Sequence, residues 1–411
     1  MSVILMEEHY HAYFAWKSHR VQNAWCWHVD AHLDIGRTGL SEERLRLIKN
    51  CRTPQEVLEQ GALGNSYLPW GGLHCGNYIY PAIKEGIVGK LTWVLPPDLP
   101  EAGLLTWAKH HLNEWFELSP QEFRSLSYEG RRVHGTLLGI PFEMGPLEAL
   151  ELPEEPVLLD IDVDYFLNDD GTVWQESDMF ARAIRSVPSL LTTVAYSVKG
   201  GFTPDAQRRL AKPWLENDVI RSEAEEYFER PLDKLAARVR CRQYEDALLE
   251  LDDLANPGVE ELYLKGTSLH ALKRYEEALV VWEEILSLPG LSQDGQLYLH
   301  NLCAELLLSL GRPEDSLKHS LTAQKLDRKA YAPCWTEAQA REINGDVQKT
   351  IKALRKAARL SEDTIYGLKI RTALIRLYKR QGKEGLAMAE ARKLHQIDPD
   401  GRVAAFANMG I

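Results

Sequence analysis

Two short acidic clusters, each placed directly after an apolar run, constrain the fold of this chain more than any other feature. The first reads His28-Val29-Asp30-Ala31-His32-Leu33-Asp34, and the second reads Leu159-Asp160-Ile161-Asp162-Val163-Asp164. Residues two positions apart on a strand share one face, so the charged residues of each cluster should point the same way. Carboxylates beside an apolar run must be paired or bound to a cation. Two strand ends that bring these groups together therefore predict a site for two divalent metal ions.

The bulk composition limits the class of protein. A chain of 411 residues is long enough for two or three domains, and its net charge of −12 argues against nucleic acid or an anionic membrane surface as the main partner. The six cysteines are scattered, with no C-x-x-C pair, which is typical of reduced thiols and favours a cytoplasmic protein. No apolar stretch approaches the ~20 residues of a membrane span. The acidic N-terminal segment is not expected to be a signal peptide.

Residues 1 to about 215 alternate short apolar runs with helical patterns. Alternating strands and helices favour an α/β fold with a mostly parallel sheet, in which sites form beyond the carboxyl ends of the strands. Both acidic clusters follow their apolar runs in this way. The predicted strands are 24–29, 91–95, 157–161 and 191–198, and the predicted helices include 41–50, 53–60 and 104–116.

From about residue 225 the pattern becomes helical and repetitive. Similar turn-and-helix segments begin at residues 242, 273, 311, 345 and 382, separated by 31, 38, 34 and 37 residues. A period near 34 resembles tetratricopeptide repeats, and it predicts four to five helical hairpins in a short solenoid. A generic helical bundle is the alternative. Solenoids present a concave surface for peptides or proteins. We therefore expect one domain at 1–220 and a repeat domain at 225–411, with the boundary in 214–230.

The N-terminal half resembles the arginase/deacetylase superfamily, in particular its binuclear ureohydrolase branch, over roughly 200 residues. Its D-A-H-x-D strand end matches residues 30–34, and its S-x-D-x-D strand end matches residues 160–164. Its N-L-H-G loop is similar to residues 72–76, and its G-G-D-H-S segment is similar to residues 7–11. The resemblance implies a three-layer arginase-like α/β domain.

The same resemblance implies a ligand set and a mechanism. The metal-binding residues would be His9, Asp30, His32, Asp34, Asp162 and Asp164, with His11 as the alternative to His9. Asp30 and Asp162 would bridge two ions, and Asp160 would support the ligands from behind. Oxygen-rich ligands with a few imidazoles favour Mn²⁺. Two such ions can share a hydroxide that attacks a planar carbon, and His74 would pass a proton to the departing amine.

The substrate is the least constrained part of this prediction. Ureohydrolases attack a guanidinium carbon, and those specific for free arginine hold it with a glutamate on the strand after D-x-D. The corresponding segment here, 192–200, contains no carboxylate. Asp160 and Glu143 are alternatives for this role.

A narrower resemblance addresses this gap. The start of the chain, residues 77–94 and the second acidic cluster are similar to an atypical arginase-like family. That family includes peptide arginases of ribosomal-peptide biosynthesis, which convert arginine side chains of a precursor peptide to ornithine and release urea. The resemblance assigns Asn77 to substrate binding. Repeats that hold a peptide away from the reaction site would increase its affinity.

Two other functions remain open from the sequence. A deacetylase or other amidohydrolase could use the same fold, although single-zinc deacetylases have a histidine where Asp164 stands. A non-catalytic peptide-binding scaffold is the third hypothesis. A homodimer is the default expectation for assembly.

Overall fold

The computed structural model divides the described chain into two compact units. The first comprises residues 1–111 and 125–250, and the second comprises residues 112–124 and 251–411. The sequence-based boundary stays a prediction, because most of segment 214–230 lies outside the described residues. The structure describes residues 3–37, 39–64, 68–96, 103–168, 170–198, 202–215, 219–221, 231–240, 242–362, 364–399, 401 and 403.

The first unit contains a nine-stranded sheet, counted over the described residues, in the order β4-β5-β6-β3-β2-β7-β8-β1-β9. All neighbouring pairs from β6 to β9 are parallel, and only β4-β5 and β5-β6 are antiparallel. The mostly parallel sheet predicted from the sequence is therefore confirmed. The strands are β1 (Val3–Met6), β2 (Ala24–Val29), β3 (Val88–Val94), β4 (Ser127–Glu129), β5 (Arg132–Leu137), β6 (Ile140–Gly145), β7 (Val157–Asp162), β8 (Ser189–Ala195) and β9 (Val219–Arg221).

Helices connect most of these strands, as parallel pairing requires. The helix α5 begins in the first unit and ends in the second, and α9 does the same. The helices up to residue 252 are α1 (His11–Ser18), α2 (Glu42–Asn50), α3 (Pro54–Glu59), α4 (Ile79–Lys84), α5 (Leu104–Phe116), α6 (Pro120–Ser125), α7 (Ser177–Ala183), α8 (Pro231–Arg240) and α9 (Tyr244–Asp252).

Strand β7 shows how the two faces of the sheet differ. Val157, Leu159 and Ile161 alternate along one face and belong to a buried core that includes Phe180 of α7. Asp160 points to the other face, where it contacts Tyr78 just before α4. The period of two therefore separates an apolar core from a polar cluster within one strand.

The second unit is built mainly from tandem helical hairpins. In this unit the helices pack in sequence order, each against the next, which confirms a repeat array of the kind expected from the sequence. The helices are α10 (Val259–Ala271), α11 (Tyr275–Ser287), α12 (Gln293–Ser309), α13 (Pro313–Leu326), α14 (Ala332–Ile343), α15 (Val347–Leu360), α16 (Ile365–Arg380) and α17 (Glu384–Ile397).

The turn within each hairpin explains why the repeat was visible in the sequence. Every one of the five repeat starts has a left-handed backbone, with φ of 58° at Arg242, 61° at Lys273, 70° at Gly311, 74° at Gly345 and 65° at Gly382. The next residue then donates a backbone hydrogen bond to the carbonyl five positions before it, as in Arg312 N to Leu307 O at 2.8 Å. This is the Schellman arrangement that ends a helix. Its left-handed position favours glycine, because glycine has no Cβ.

A helix that spans a membrane must be long and predominantly apolar. Within the part of the chain that the structure describes, no helix combines the length and the apolar character that crossing a bilayer requires.

Candidate metal centre

The two acidic clusters meet because β2 and β7 are neighbouring parallel strands. His28 of β2 is paired with Asp160 of β7, and both strands end within a few residues of this pair. The prediction that Asp30 to Asp34 alternate along a strand is wrong, because β2 ends at Val29. Asp34 has a left-handed backbone with φ of 55°. The segment after β2 therefore turns back on itself, and this turn brings its side chains towards one point.

The first group of ligand atoms surrounds the ring of His9. The Nδ1 atom of His9 lies 2.9 Å from Oδ2 of Asp30, 3.1 Å from Oδ2 of Asp162 and 3.4 Å from Oδ2 of Asp34. All four side chains are buried. His9, rather than His11, is the histidine of this group, because the ring of His11 packs against Tyr10 at the start of α1.

A second group shares Asp30 with the first. The Nδ1 atom of His32 lies 3.1 Å from Oδ2 of Asp164 and 3.5 Å from Oδ1 of Asp30. The His32 side chain is 48% exposed, so this group faces the open side of the centre. Asp30 presents one carboxylate oxygen to each group. Asp162 approaches the first group through Oδ2, while its Oδ1 accepts from the backbone N of Asp164 at 3.1 Å. Its predicted bridging role stays a prediction.

Asp160 supports the first group from behind. Its Oδ1 accepts from Thr193 Oγ1 at 2.5 Å and lies 3.2 Å from Nε2 of His9. Its Oδ2 accepts from Tyr78 OH at 2.5 Å and lies 3.0 Å from Nδ1 of His28. A carboxylate on the far nitrogen of a histidine fixes the direction of the other nitrogen. Asp160 therefore aims Nδ1 of His9 at the three aspartates.

The donor atoms fit a pair of cations such as Mn²⁺. His9 Nδ1 and Asp30 Oδ2 are both buried, and neither makes a hydrogen bond of suitable geometry within the described chain. Buried polar atoms without partners cost free energy, so two of them facing each other point to a group that both would bind. The donors are carboxylate oxygens and imidazole nitrogens, with no thiolate among these ligand groups, a combination that suits Mn²⁺.

The charges of the centre are strongly coupled. Burial alone would lower the pKa of His9, but the charges of Asp160 and Asp162 outweigh it and hold that pKa well above its ordinary value. Burial and the charge of Asp30 raise the pKa of Asp34 to about 7. Burial and the charges of Asp162 and Asp30 raise the pKa of Asp164. Without cations, Asp34 and Asp164 therefore retain protons more readily, whereas the neighbouring histidines hold the pKa of Asp30 well below its ordinary value despite its burial.

The loop that carries His74 packs beside the segment after β2. Gly36 N donates to Gly76 O at 3.0 Å, and Ile79 N donates to Asp34 O at 3.1 Å. The Nδ1 atom of His74 accepts from Gly76 N at 3.0 Å, and burial lowers the pKa of the ring to about 4. A neutral ring of this kind carries its proton on Nε2, which leaves that nitrogen as its only remaining donor.

Asn77 is buried and holds the His74 loop together. Its Oδ1 accepts from His74 N at 2.9 Å, and its Nδ2 donates to Gly72 O at 2.8 Å. Both ends of the amide are therefore engaged within the loop. Its predicted substrate contact stays a prediction.

The two carboxylates considered for holding a guanidinium are already engaged. Asp160 is fully buried behind His9. Glu143 lies on β6, where it accepts from Thr92 Oγ1 at 2.8 Å and pairs with Lys90 at 3.4 Å. Neither geometry supports the guanidinium role. The segment 192–200 is described only to residue 198, and its last two residues lie outside the described part.

Several residues of the centre were not predicted. Ser197 donates to Asp162 Oδ2, and His28, Tyr78 and Thr193 surround Asp160. Of these residues, only His28 could have been found from the sequence, because it stands two positions before Asp30 in an apolar run. The structure shows that it is fully buried. The others come from separate segments and have no spacing that links them to the acidic clusters.

An aromatic wall stands beside the centre. Trp93 Nε1 donates to Asp30 O at 2.9 Å. The ring of His111 stacks on Trp93 at 5.6 Å and on Trp107 at 4.7 Å. The half-exposed ring of His32 meets Phe202 edge-on at 5.1 Å. The open side of the centre is therefore partly lined by aromatic rings.

Comparisons with known proteins describe only part of this chain. No family model matches it, and no curated protein matches it. Among solved structures, MamA (residues 41 to the end) from Desulfovibrio magneticus RS-1 is 19% identical, with 41% of this chain and 94% of that chain covered and a TM-score of 0.36. YrrB, described as a TPR protein with an unusual peptide-binding site, is 16% identical, with 44% and 90% covered and a TM-score of 0.35. The repeat assignment rests on the helix order and turn geometry of the chain itself.

Proposed function

We propose that this protein is a binuclear Mn²⁺-dependent hydrolase that converts arginine side chains of a peptide to ornithine and releases urea. One observation carries the metal part of the proposal: the group around His9 and the group around His32 share Asp30. Within the described residues, the buried His9 Nδ1 and Asp30 Oδ2, 2.9 Å apart, make no hydrogen bond of suitable geometry. The guanidinium substrate is suggested by the arginase-like sequence segments.

Each residue of the centre has a proposed role in metal binding or in ligand positioning. His9, Asp34 and Asp162 would hold one ion, His32 and Asp164 the other, and Asp30 both. The ions, when bound, would supply a hydroxide nucleophile near neutral pH. Ser197 and Asp160 would keep Asp162 and His9 in place through their hydrogen bonds. The half-exposed side of His32 is where a substrate side chain would enter.

His74 is the residue proposed for proton transfer to the departing amine. Its Nδ1 is held by Gly76 N, so Nε2 is the atom that would donate. A ring with a pKa of about 4 is neutral near pH 7, so this residue would pass on a proton rather than store an extra one.

The peptide substrate is proposed because a second unit made of helical hairpins accompanies the α/β unit in one chain. Repeat arrays bind extended segments along one face, whereas an enzyme for a small metabolite needs no such surface. Holding a peptide at a second point raises its effective concentration near the centre.

The decisive experiment is metal analysis together with a urea assay. Protein purified with Mn²⁺ is expected to carry two ions per chain. It should release urea from an arginine-containing peptide, with ornithine identified by mass spectrometry. Asp30→Ala and Asp162→Ala should lose both the metal and the activity. Asp178→Ala, an exposed carboxylate on α7, is the matched control and should retain both.

Other outcomes would redirect the proposal. One zinc ion per chain with release of acetate from acetyl-lysine would favour the deacetylase alternative. Two Mn²⁺ ions without urea release across varied arginine peptides would keep the metal centre and reject the guanidinium substrate. Absence of metal from the wild-type protein would reject the hydrolase.

A further inference from the structure

The second unit carries one tyrosine at or near the start of the first helix of each hairpin. Tyr263 lies on α10, Tyr298 on α12, Tyr331 immediately before α14 and Tyr366 on α16. They recur at intervals of 35, 33 and 35 residues, which follows the period of the hairpins. A residue that recurs with the repeat lies on the same side of successive hairpins.

These tyrosines lie close together in two pairs. Tyr263 OH donates to Tyr298 OH at 3.4 Å, and their ring centroids are 6.3 Å apart. The rings of Tyr331 and Tyr366 stack with centroids 6.0 Å apart. Burial raises the pKa of Tyr298, Tyr331 and Tyr366, and the charge of Glu305 raises each further. Glu305 lies on α12 two helical turns after Tyr298, on the same face of the helix.

The Tyr331–Tyr366 pair contacts the end of helix α5 and the residues just after it. Asn113 Nδ2 donates to Tyr366 OH at 3.1 Å, and Tyr331 OH donates to Glu117 at 2.8 Å. The backbone takes part as well, since Ile365 N donates to Leu118 O at 3.1 Å. This tyrosine pair therefore uses its hydroxyls to hydrogen-bond an amide and a carboxylate of a neighbouring chain segment.

The Tyr263–Tyr298 pair has comparable chemistry. Asn301 stands one helical turn after Tyr298, and its buried Oδ1 has no hydrogen-bond partner within the described chain. Glu305 stands one turn further on, is exposed, and forms no ion pair among the described residues. An amide oxygen can accept from a peptide N–H, and a carboxylate beside aromatic rings attracts a cation.

The charge of Glu305 favours a basic ligand at this part of the second unit. Three arginines of α16 are paired within the unit: Arg371 pairs with Glu362 and Glu390, and Arg376 and Arg380 both pair with Glu342. Glu305 has no such counter-charge. Glu305 therefore offers an unpaired negative charge on the face of α12 that carries Tyr298, whereas these three arginines are already engaged.

We propose that Tyr263, Tyr298, Asn301 and Glu305 bind an arginine- or lysine-bearing peptide segment. A cationic side chain would lie over the partly exposed ring of Tyr298 with its charge beside Glu305, and Asn301 would accept from the peptide backbone. Tyr263 is buried and would support Tyr298 from behind. At the neighbouring pair, Tyr331 and Tyr366 make side-chain hydrogen bonds to Glu117 and Asn113, which shows that these hydroxyls engage polar groups. That such a peptide is a substrate rests on the proposed hydrolase function, whereas its binding does not.

Fluorescence anisotropy with the full chain tests this proposal. The probe is a labelled peptide of alternating glycine and arginine, with glycine–glutamate and glycine–glutamine peptides as comparisons. Only the arginine peptide should bind, and more weakly as salt rises. Glu305→Gln should weaken binding about tenfold, as expected for loss of a charge contact near aromatic rings. Glu314→Gln, an exposed glutamate on α13, is the matched control and should bind as the wild type does.

Further controls separate peptide binding from the metal centre and from loss of folding. All titrations contain EDTA and are repeated in Asp30→Asn, Asp162→Asn protein, where the effect of Glu305→Gln should persist. Tyr298→Phe should retain most of the affinity, and Tyr298→Ala should lose it, with helicity checked by circular dichroism. Equal loss in Glu305→Gln and Glu314→Gln, equal binding of the glutamine peptide, or preference for the glutamate peptide would overturn the proposal. Retained binding without urea release would reject only the hydrolase.

Discussion

The carboxylates of the metal centre illustrate how single residues can carry function at a cost in stability. Asp30, Asp34 and Asp162 approach one ring nitrogen of His9. The pKa values of Asp34 and of Asp164, in the second group, are raised. Ionised carboxylates this close repel one another unless cations intervene. The metal-free protein should therefore become more stable when one of these charges is removed.

Asp34→Asn tests this cost directly. The pKa of Asp34 is about 7 in the folded chain, against ~3.9 in the unfolded chain, so its contribution to stability falls as pH rises through this window. We expect the substitution to raise the thermal midpoint of metal-free protein more at about pH 8 than at about pH 5. Asparagine also tolerates the left-handed backbone at this position.

The control for Asp34→Asn is Asp178→Asn, because Asp178 is exposed on α7. Its effect on the midpoint should be small and independent of pH. A lower midpoint for Asp34→Asn at the higher pH would contradict the argument. The same variant should bind Mn²⁺ more weakly, since one ligand of the first group is lost.

At the scale of elements, the sequence predicted those strands in which an apolar run contrasts with polar residues on both sides. Apolar runs bounded by polar residues revealed β2, β3, β7 and β8. The edge strand β4, whose three residues are all exposed, offered no such contrast. The apolar run of β1, Val3–Met6, has this contrast but was not among the predicted strands. The sequence predicted that the two acidic clusters lie together, and they do. The predicted alternation of Asp30 to Asp34 along a strand is wrong. Asp30 to Asp34 converge through a turn, and a turn of this kind leaves no period in the sequence.

The hairpins provide a sharper test of element packing. A Cβ added to Gly266 of α10 would lie 2.2 Å from Nε1 of the buried Trp282 on α11. Gly266→Ala should therefore destabilise the protein by about 1–3 kcal/mol, because an overpacked core must shift. In Gly385→Ala, on α17, the new Cβ meets nothing within 4 Å, and it should stabilise by up to about 1 kcal/mol through helix propensity.

Urea denaturation followed by circular dichroism measures both glycine variants. Opposite shifts of the midpoint are expected. Equal shifts would mean that Trp282 can move aside freely, which would contradict the close packing of α10 against α11. Tryptophan fluorescence of Gly266→Ala should change as well, since the indole of Trp282 would have to relocate.

At the scale of the whole molecule, two kinds of stabilisation operate in one chain. The first unit is held by a sheet whose strands come from distant parts of the sequence, and it contains every residue of the metal centre. In the second unit the hairpin helices contact chiefly their sequence neighbours, so its stability is close to a sum of local interfaces. A ligand that binds only the first unit should therefore act on the two units differently.

Hydrogen exchange with and without Mn²⁺ measures this difference. At about one hundred times its dissociation constant, a bound ion stabilises the folded state by about 2.7 kcal/mol. Amides of β1, β2 and β7 should become protected to about that degree, because opening them releases the ion. Amides of α10–α17 should change little, since their opening leaves every ligand in place. Asp30→Asn protein should show no change in either unit. Equal protection of both units would mean that the chain unfolds as one cooperative body, because then no helical amide could open without loss of the ions.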